Sequence, residues 1–459
     1  MTKSDKKEIK ILTPVGMLGY GIPEADFWRG IDAGADAVVV DAGSTDPGPY
    51  LLGLGKMIVA ESALERDLRL ILAGCDKNKI PLLIGSAGGP GIGKHVDETI
   101  AIIGRIARSE GYKLKVAAIY SDVKATLVQE RFDAGRITSC ASAPPATKND
   151  IDTSEHIVAQ MGVEPILQVL RGHPDVNVVV AGRAYDPAPY AAFCMLHGIE
   201  DPGIFWHMGK IMECGANCAE PKGRVILATI RQDSFDLEPM SPLERCTPLS
   251  VAAHTLYEKT RPDLLSGPGG VLDLNGATYV PLSDRTVRVS GSVFRPTPKY
   301  LVKLEGAAIA GQRTIFIGGI RDPILIDQID TFLESLKKRL NAVYPELRSG
   351  EAQINFHIYG KNGVMGVQEP EKDFVPLEVG ILGEVTAPTQ DLATAICSNA
   401  RIGVLHMPYP GQMATAGNFA LPLNPMENPI GPVCRFSLYH LMEVESPLEL
   451  FPHRIEELA

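Results

Sequence analysis

Pro81-Leu-Leu-Ile84-Gly-Ser-Ala-Gly-Gly-Pro-Gly-Ile-Gly-Lys-His95 is an apolar run that gives way to glycines. Val96-Asp-Glu-Thr-Ile-Ala-Ile-Ile-Gly-Arg-Ile-Ala-Arg108 follows, with its isoleucines at helical spacing. A short apolar run bounded by glycine reads as a buried strand, and apolar residues three and four apart read as one helix face. Strand, glycine turn and helix in succession are the repeating piece of a parallel sheet. The turn also sets free N–H groups at a helix N-terminus, a geometry that binds anions. Ser86, Gly88, Gly89 and Gly91 are therefore candidate substrate-binding residues.

The same rhythm extends on both sides. Ile9-Lys-Ile-Leu-Thr13, Ala37-Val-Val-Val-Asp41, Lys115-Val-Ala-Ala-Ile-Tyr120 and Val176-Asn-Val-Val-Val-Ala181 read as further strands. Residues 24–34, 56–73 and 187–197 read as helices. Asp152 with Glu155 resembles a capping box opening another helix, interrupted by Gly162 and Pro165. About five strand–helix units are visible, whereas a closed barrel needs eight, so the expectation is an open sheet with flanking helices. Beyond residues 230–250 prolines interrupt regular structure and short alternating runs begin. Asn275-Gly276 marks a hairpin turn, residues 324–343 an amphipathic helix, and Ala352-Gln-Ile-Asn-Phe-His-Ile-Tyr359 a period-two strand. The expected organisation is an α/β domain over residues 1–235 carrying the glycine-rich anion loop. An α+β domain over residues 236–459 would follow, its C-terminal segment returning to the interdomain cleft.

A chain of 459 residues exceeds one ordinary core. Its 45% hydrophobic and 22% charged content is that of a soluble globular protein. A net charge of −11 argues against nucleic acid, which needs a basic surface, but leaves room for a local basic pocket. No apolar run reaches the ~20 residues of a membrane helix, and no apolar signal core follows the first residues, so the cytoplasm is the expected location. Eight scattered cysteines do not form a disulfide framework. Cys214 and Cys218, with His207 upstream, are the nearest approach to a metal set, and zinc would need further ligands. No cofactor motif is present; a divalent metal stays open.

The glycine loop falls short of a nucleotide site. Gly88-x-x-x-x-Gly93-Lys94 matches most of a P-loop, but His95 stands where Ser or Thr would hold magnesium, and Pro90 removes one N–H. Either the loop binds another anion or its glycines serve a tight turn.

Ligands of parallel sheets bind beyond the carboxyl ends of the strands. Those ends carry Thr13, Asp41, Ser86, Tyr120-Ser-Asp122 and Gly182-Arg-Ala-Tyr-Asp186. Asp41 and Asp122 are candidate acid–base groups, or caps of the next helices. Arg183, directly after a buried valine run, needs either an acid or a ligand carboxylate, and Asp186 is beside it or caps the following helix. Glu213 and Cys214 pair a carboxylate with a thiol where a helix meets glycine, as base and nucleophile or as a solvated acid and a core thiol. His406-Met-Pro-Tyr-Pro-Gly-Gln-Met-Ala-Thr-Ala-Gly-Asn418 is nearly uncharged and reads as a site-lining loop. His406 is its catalytic candidate, and Tyr409, Gln412, Thr415 and Asn418 are its binding candidates.

Gly182-Arg-x-x-Asp186, Glu213-Cys-Gly-Ala216, Tyr300-Leu-Val-Lys-Leu-Glu-Gly306 and Gly319-Ile-Arg-Asp-Pro323 resemble the acyclic terpene utilisation (AtuA) family. So do Ala387-Pro-Thr389, Tyr409-Pro-Gly411, Ala414-Thr-Ala-Gly-Asn418 and Tyr439-His-Leu-Met-Glu-Val444. The resemblance implies bacterial catabolism of branched acids and their coenzyme A esters, and a small additional domain that in this case would be a separate polypeptide. It supplies no mechanism.

The resulting expectation is a catabolic enzyme acting on a small carboxylic acid or acyl-CoA ester, of hydratase or lyase type. Arg183 and the glycine loop would hold the anion, and Asp41, Asp122 or Glu213 would move protons. The alternatives are a thioester or lactone hydrolase using Cys214, a non-catalytic subunit completing a site with a small partner protein, and a nucleotide-dependent enzyme. A small anionic substrate and a homo-oligomer, with no nucleic acid and no membrane, complete the expectation.

Overall fold

The computed structural model describes residues 8–43, 48–257, 261–415 and 417–459. The five expected strands form as β1 (Ile9–Thr13), β2 (Ala37–Asp41), β3 (Leu82–Gly85), β4 (Leu114–Ile119) and β5 (Val178–Ala181). They are mutually parallel and lie in the order β1-β2-β3-β5-β4. β6 (Ile226–Ile230), β7 (Ser234–Pro239), β8 (Thr278–Pro281) and β9 (Val287–Ser290) extend the β1 side antiparallel, and β10 (His453–Leu458) pairs antiparallel with β4. The result is one open, mixed sheet of ten strands, and no closed barrel forms among the described residues.

Both faces of the parallel strands are covered, which is why they read as unbroken valine, isoleucine and leucine runs. The two-residue alternation sorts their side chains. Val38, Val40, Leu82, Ile84, Val178 and Val180 pack with Phe27, Leu68, Ile71, Ile100 and Ile103, from helices α1 (Glu24–Asp32), α2 (Glu61–Asn78) and α3 (Gly93–Glu110). Ala37, Val39, Leu83 and Val179 pack with Ile166, Leu170, Phe193 and Met208, from α4 (Glu164–Gly172), α5 (Ala188–Leu196) and α6 (Pro202–Met212). The chain after β3 enters α3 on one face, and the chain after its neighbour β5 enters α5 on the other. Loops part at such a reversal of strand order and leave a crevice at the carboxyl edge.

The chain divides into two compact units, one running to Ala308 and resuming at Phe436–Ala459, the other Ile309–Arg435. The expected boundary at 235/236 falls inside β7, which pairs with β6 within the first unit. The C-terminal segment belongs to the first unit through β10. Strands Leu301–Ile320 and Asn428–Glu443 carry the chain out and back. In the second unit, residues 312–320 pair with Val379–Ala387, which pairs with Gln353–Tyr359. Helices Ile329–Val343 and Gln390–His406 share a core with this sheet through Phe332, Leu336, Ile396 and Ala400.

Three local expectations are corrected. The capping box is Thr147 with Asp150, opening the short helix Lys148–Asp152, and the segment after it is strand His156–Gln160. That segment pairs with residues 303–307, and this distant ladder outweighs local helix cues. Asn275-Gly276 does not close a hairpin: the strand before it, Gly270–Asp273, pairs with Leu264–Gly267 and Val293–Pro296, whereas β8 pairs with β9. The helix expected over 56–73 begins at Glu61 and continues to Asn78, with a separate short helix Tyr50–Leu54 before it. No helix among the described residues is long and apolar enough to cross a membrane.

Candidate functional site

Because β2, β3, β4 and β5 are parallel, Asp41, Ser86, Asp122 and Arg183 all emerge at one edge of the sheet. Asp41 is the last residue of β2, in register with Gly85 of β3, and is buried. Its Oδ2 accepts the Gly43 N–H at 3.0 Å. Its Oδ1 is buried and has no hydrogen-bond partner among the described residues. A Cβ at position 85 would stand 3.1 Å from that oxygen and 3.2 Å from Pro189 Cγ, so the packing there is close and suits glycine. Burial, then the Asp186 and Glu213 carboxylates, push the Asp41 carboxyl well above the ordinary carboxylate range. Arg183 and the Gly43 N–H oppose the shift and do not cancel it. Burial and the two neighbouring carboxylates thus favour the protonated form of Asp41, because a buried charge among like charges is costly.

Arg183 is engaged at every nitrogen. Nε and Nη2 donate to the two oxygens of Glu305 at 2.9 and 3.3 Å, and Nη1 donates to Ser86 Oγ and Asp186 Oδ1, each at 3.2 Å. The fork expected to grip a substrate carboxylate thus grips one from the chain itself. Lys303 Nζ lies 2.6 Å from Glu305 and 4.5 Å from the centroid of the Tyr439 ring. Burial works against the Glu305 carboxylate, but Arg183 and Lys303 outweigh it and hold it at about 2.

On α6 and the turn after it, Lys210 and Glu213 form a buried ion pair. The next residue, Cys214, is half-buried, and its backbone presses on Gly16, where a Cβ would come within 2.6 Å of its carbonyl. Thr13 Oγ1 lies 2.9 Å from the Tyr190 hydroxyl, which also reaches the Val39 and Met212 carbonyls at 3.3 and 3.4 Å. Burial raises the Tyr190 phenol far above its usual value, Thr13 opposing, with Asp41 and Glu213 adding to the rise. The wall beside Asp41 therefore presents a neutral phenol.

The glycine loop serves the scaffold. Gly89 and Gly91 donate their N–H groups to the Ser86 and Ala87 carbonyls at 3.0 and 3.2 Å. Gly93 N, at the start of α3, donates to Asp122 Oδ2 at 2.7 Å, so a carboxylate of the chain holds the anion position of that helix. Gly91 has φ +70, and a Cβ on it would meet the Arg183 nitrogen at 2.2 Å; its carbonyl accepts from Arg183 N and Ser121 Oγ. Glycine there lets the loop lie directly on the exit of β5. Gly88, at φ +71, and the buried Ser86, at φ +51, complete the turn. Ser86 Oγ accepts from Ala184 N at 3.2 Å as well as from Arg183, pinning the two loops of the crevice together. The buried His95 ring contacts the Gly55 carbonyl at 3.1 Å.

The remaining candidates lie in the second unit. His406 ends helix Gln390–His406; Tyr409 donates to Asp322; Gln412 N donates to the Tyr409 carbonyl; the Asn418 amide donates to the Ala414 carbonyl. Thr415 is exposed. Residues 44–46, in the loop after β2, and Ala416 lie outside the described residues. Of the metal candidates, His207 contacts Ser292 and Thr255, and Cys218 contacts Cys246 at 3.9 Å. No group of three or more His, Cys, Asp or Glu poised for a metal occurs among the described residues. Sequence reasoning missed Tyr190, Lys210, Lys303 and Glu305 as site members. Lys303 and Glu305 stand in Tyr300-Leu-Val-Lys-Leu-Glu-Gly306, a motif already tied to the family resemblance, and that was their one available cue.

Helices on both faces of an open sheet define a doubly wound α/β protein, with the buried acids where the strand order reverses as its candidate site. Residues 60–223 match the family model described as acyclic terpene utilisation family protein AtuA, and this match supports placing the chain in that family. The matched stretch contains Ser86, Arg183, Asp186, Lys210 and Glu213. No curated protein and no solved structure matches the chain.

Proposed function

We propose that the chain is a catabolic enzyme with a role in acyclic terpene utilisation, a lyase of the hydratase type acting on a small branched acid or its ester at the Asp41–Glu213 cluster. The observation that supports this reading is a buried Asp41 with one bare oxygen, its carboxyl raised by burial, beside an ion-paired Glu213. Two neighbouring carboxyl groups in different surroundings, one with a cation and one with a bare oxygen, can divide acid and base roles. In the dehydration direction Glu213 takes the α-proton, Asp41 gives its proton to the departing hydroxyl, and water leaves as the double bond forms. Hydration runs the same transfers backwards. Lys210 holds the Glu213 carboxylate in place. Arg183 keeps the two loops of the crevice in register through Ser86 and Glu305, and so is a positioning residue.

The test has two parts. In protein labelled with [13C]aspartate, the resonance missing from Asp41→Asn should remain that of a protonated acid through neutral pH. An Asp41 that titrates like an ordinary aspartate, near about 3.9, defeats the reading. In a mass-spectrometric screen of branched unsaturated acids and esters, Asp41→Asn should cost roughly 10²–10⁴ in rate with the fold intact.

A further inference from the structure

The acid–base reading leaves open what charge the substrate carries where it meets the cluster. The ion pairs of the cluster speak to that question. Among the described residues three cations take part, Arg183, Lys210 and Lys303, and each already faces a carboxylate. Arg183 is bidentate on Glu305 and also meets Asp186; Lys303 meets the same Glu305; Lys210 meets Glu213. The three cations face Asp186, Glu213 and Glu305, and Asp41 adds a fourth carboxyl to the cluster. A further carboxylate would enter a buried region with no cation left to it, and would have to displace one of these acids. The N-terminus of α3, the other expected anion holder, is occupied by Asp122. The bare Oδ1 of Asp41 suits a neutral oxygen that shares a hydrogen bond without adding charge.

We infer that the substrate group received at the Asp41–Glu213 cluster is uncharged, an ester, thioester or amide carbonyl or a hydroxyl, and that a free carboxylate is refused there. The inference rests on the reading of this cluster as the reacting site. It reverses the first expectation of an anion held by Arg183 and the glycine loop. The substrate's reacting end is then a derivative of an acid, and any anionic portion lies away from these residues.

Acetate is the probe for a carboxylate and acetamide for its uncharged counterpart. Each is titrated at constant ionic strength and alkaline pH into the whole chain while the labelled Asp41 carboxyl resonance is followed. Glu213→Gln removes the carboxylate that faces Lys210, and Glu305→Gln removes the one that Arg183 and Lys303 share. Either variant suffices if the other does not fold. Acetate should leave the wild-type Asp41 signal unmoved and should move it in a variant, with at least a tenfold gain in apparent affinity. Acetate acting on wild type as strongly as acetamide, or failing to act on every folded variant, overturns the inference. The position of the Asp41 resonance before any probe is added judges the acid–base reading separately. An ordinary, ionised Asp41 with the expected acetate pattern defeats that reading and leaves the charge assignment standing.

Discussion

Asp41 and Asp122 occupy equivalent places, each following an apolar parallel strand at the same edge of the sheet, and they meet different neighbours. Asp122 is exposed and accepts the Gly93 N–H at the start of α3. Asp41 is covered and keeps one oxygen bare, and its carboxyl is pushed well above the ordinary range. Burial raises the Asp122 carboxyl too, but the helix N-terminus in front of it, through Gly93 N–H, works against the rise. Asp41 has Asp186 and Glu213, while the nearby Arg183 is saturated by Glu305. An acid after a strand thus caps a helix or is left with a bare, raised carboxyl according to what the tertiary fold sets before it.

The comparison breaks most completely if Arg183 is removed. Arg183→Met leaves Glu305 buried with only Lys303 and frees Ser86 from the guanidinium. A loss of about 3–5 kcal/mol in urea unfolding is expected, as for other broken buried ion pairs. A loss under 1 kcal/mol would mean that Arg183 does not hold the crevice together.

Asp41→Asn sharpens the contrast through pH. The folded pKa of Asp41 is raised, so its contribution is fully present below the unfolded value of about 3.9 and is lost as pH rises toward the folded value. Wild type should lose about 1.4 kcal/mol per pH unit within that window relative to Asp41→Asn. The variant should therefore melt higher at neutral pH, with the two curves converging in acid. Glu305→Gln should show the reverse sign. Glu305 is held at about 2, so its contribution is present above the unfolded glutamate value of about 4.3 and is lost as pH falls toward 2. Wild type and Glu305→Gln should approach each other in acid and diverge toward neutrality, with wild type the more stable. Parallel melting curves for either variant would contradict the assigned protonation state.

The smallest effect belongs to Asp122→Ala. Losing a carboxylate from a helix N-terminus should cost about 1 kcal/mol and leave the Asp41 resonance where it was. A displaced Asp41 resonance would show the two strand ends to be coupled, and the comparison would fail.

Much of the first unit was legible along the chain. Buried parallel strands are local apolar runs, and the helices between them repeat their own period, so β1 to β5 and the edge carrying Asp41, Ser86 and Arg183 follow from sequence. Strand His156–Gln160 was not legible, because a partner some 150 residues away makes it a strand (His156 opposite Ala307). The excursion of residues 309–435 as a separate unit was hidden for the same reason: strand pairing over long separations leaves no local trace.

The sequence by itself determined an open α/β sheet, the glycine turn between β3 and α3, and the acids and the arginine at the strand ends, since each is a property of neighbouring residues. Tertiary structure alone decided their charges and partners. It carried Glu305 to Arg183 across 122 positions, gave the helix N-terminus to Asp122, and left Asp41 buried without a cation of its own. Protonation and ion pairing depend on burial and on distances between atoms, and the chain sets those only when it folds.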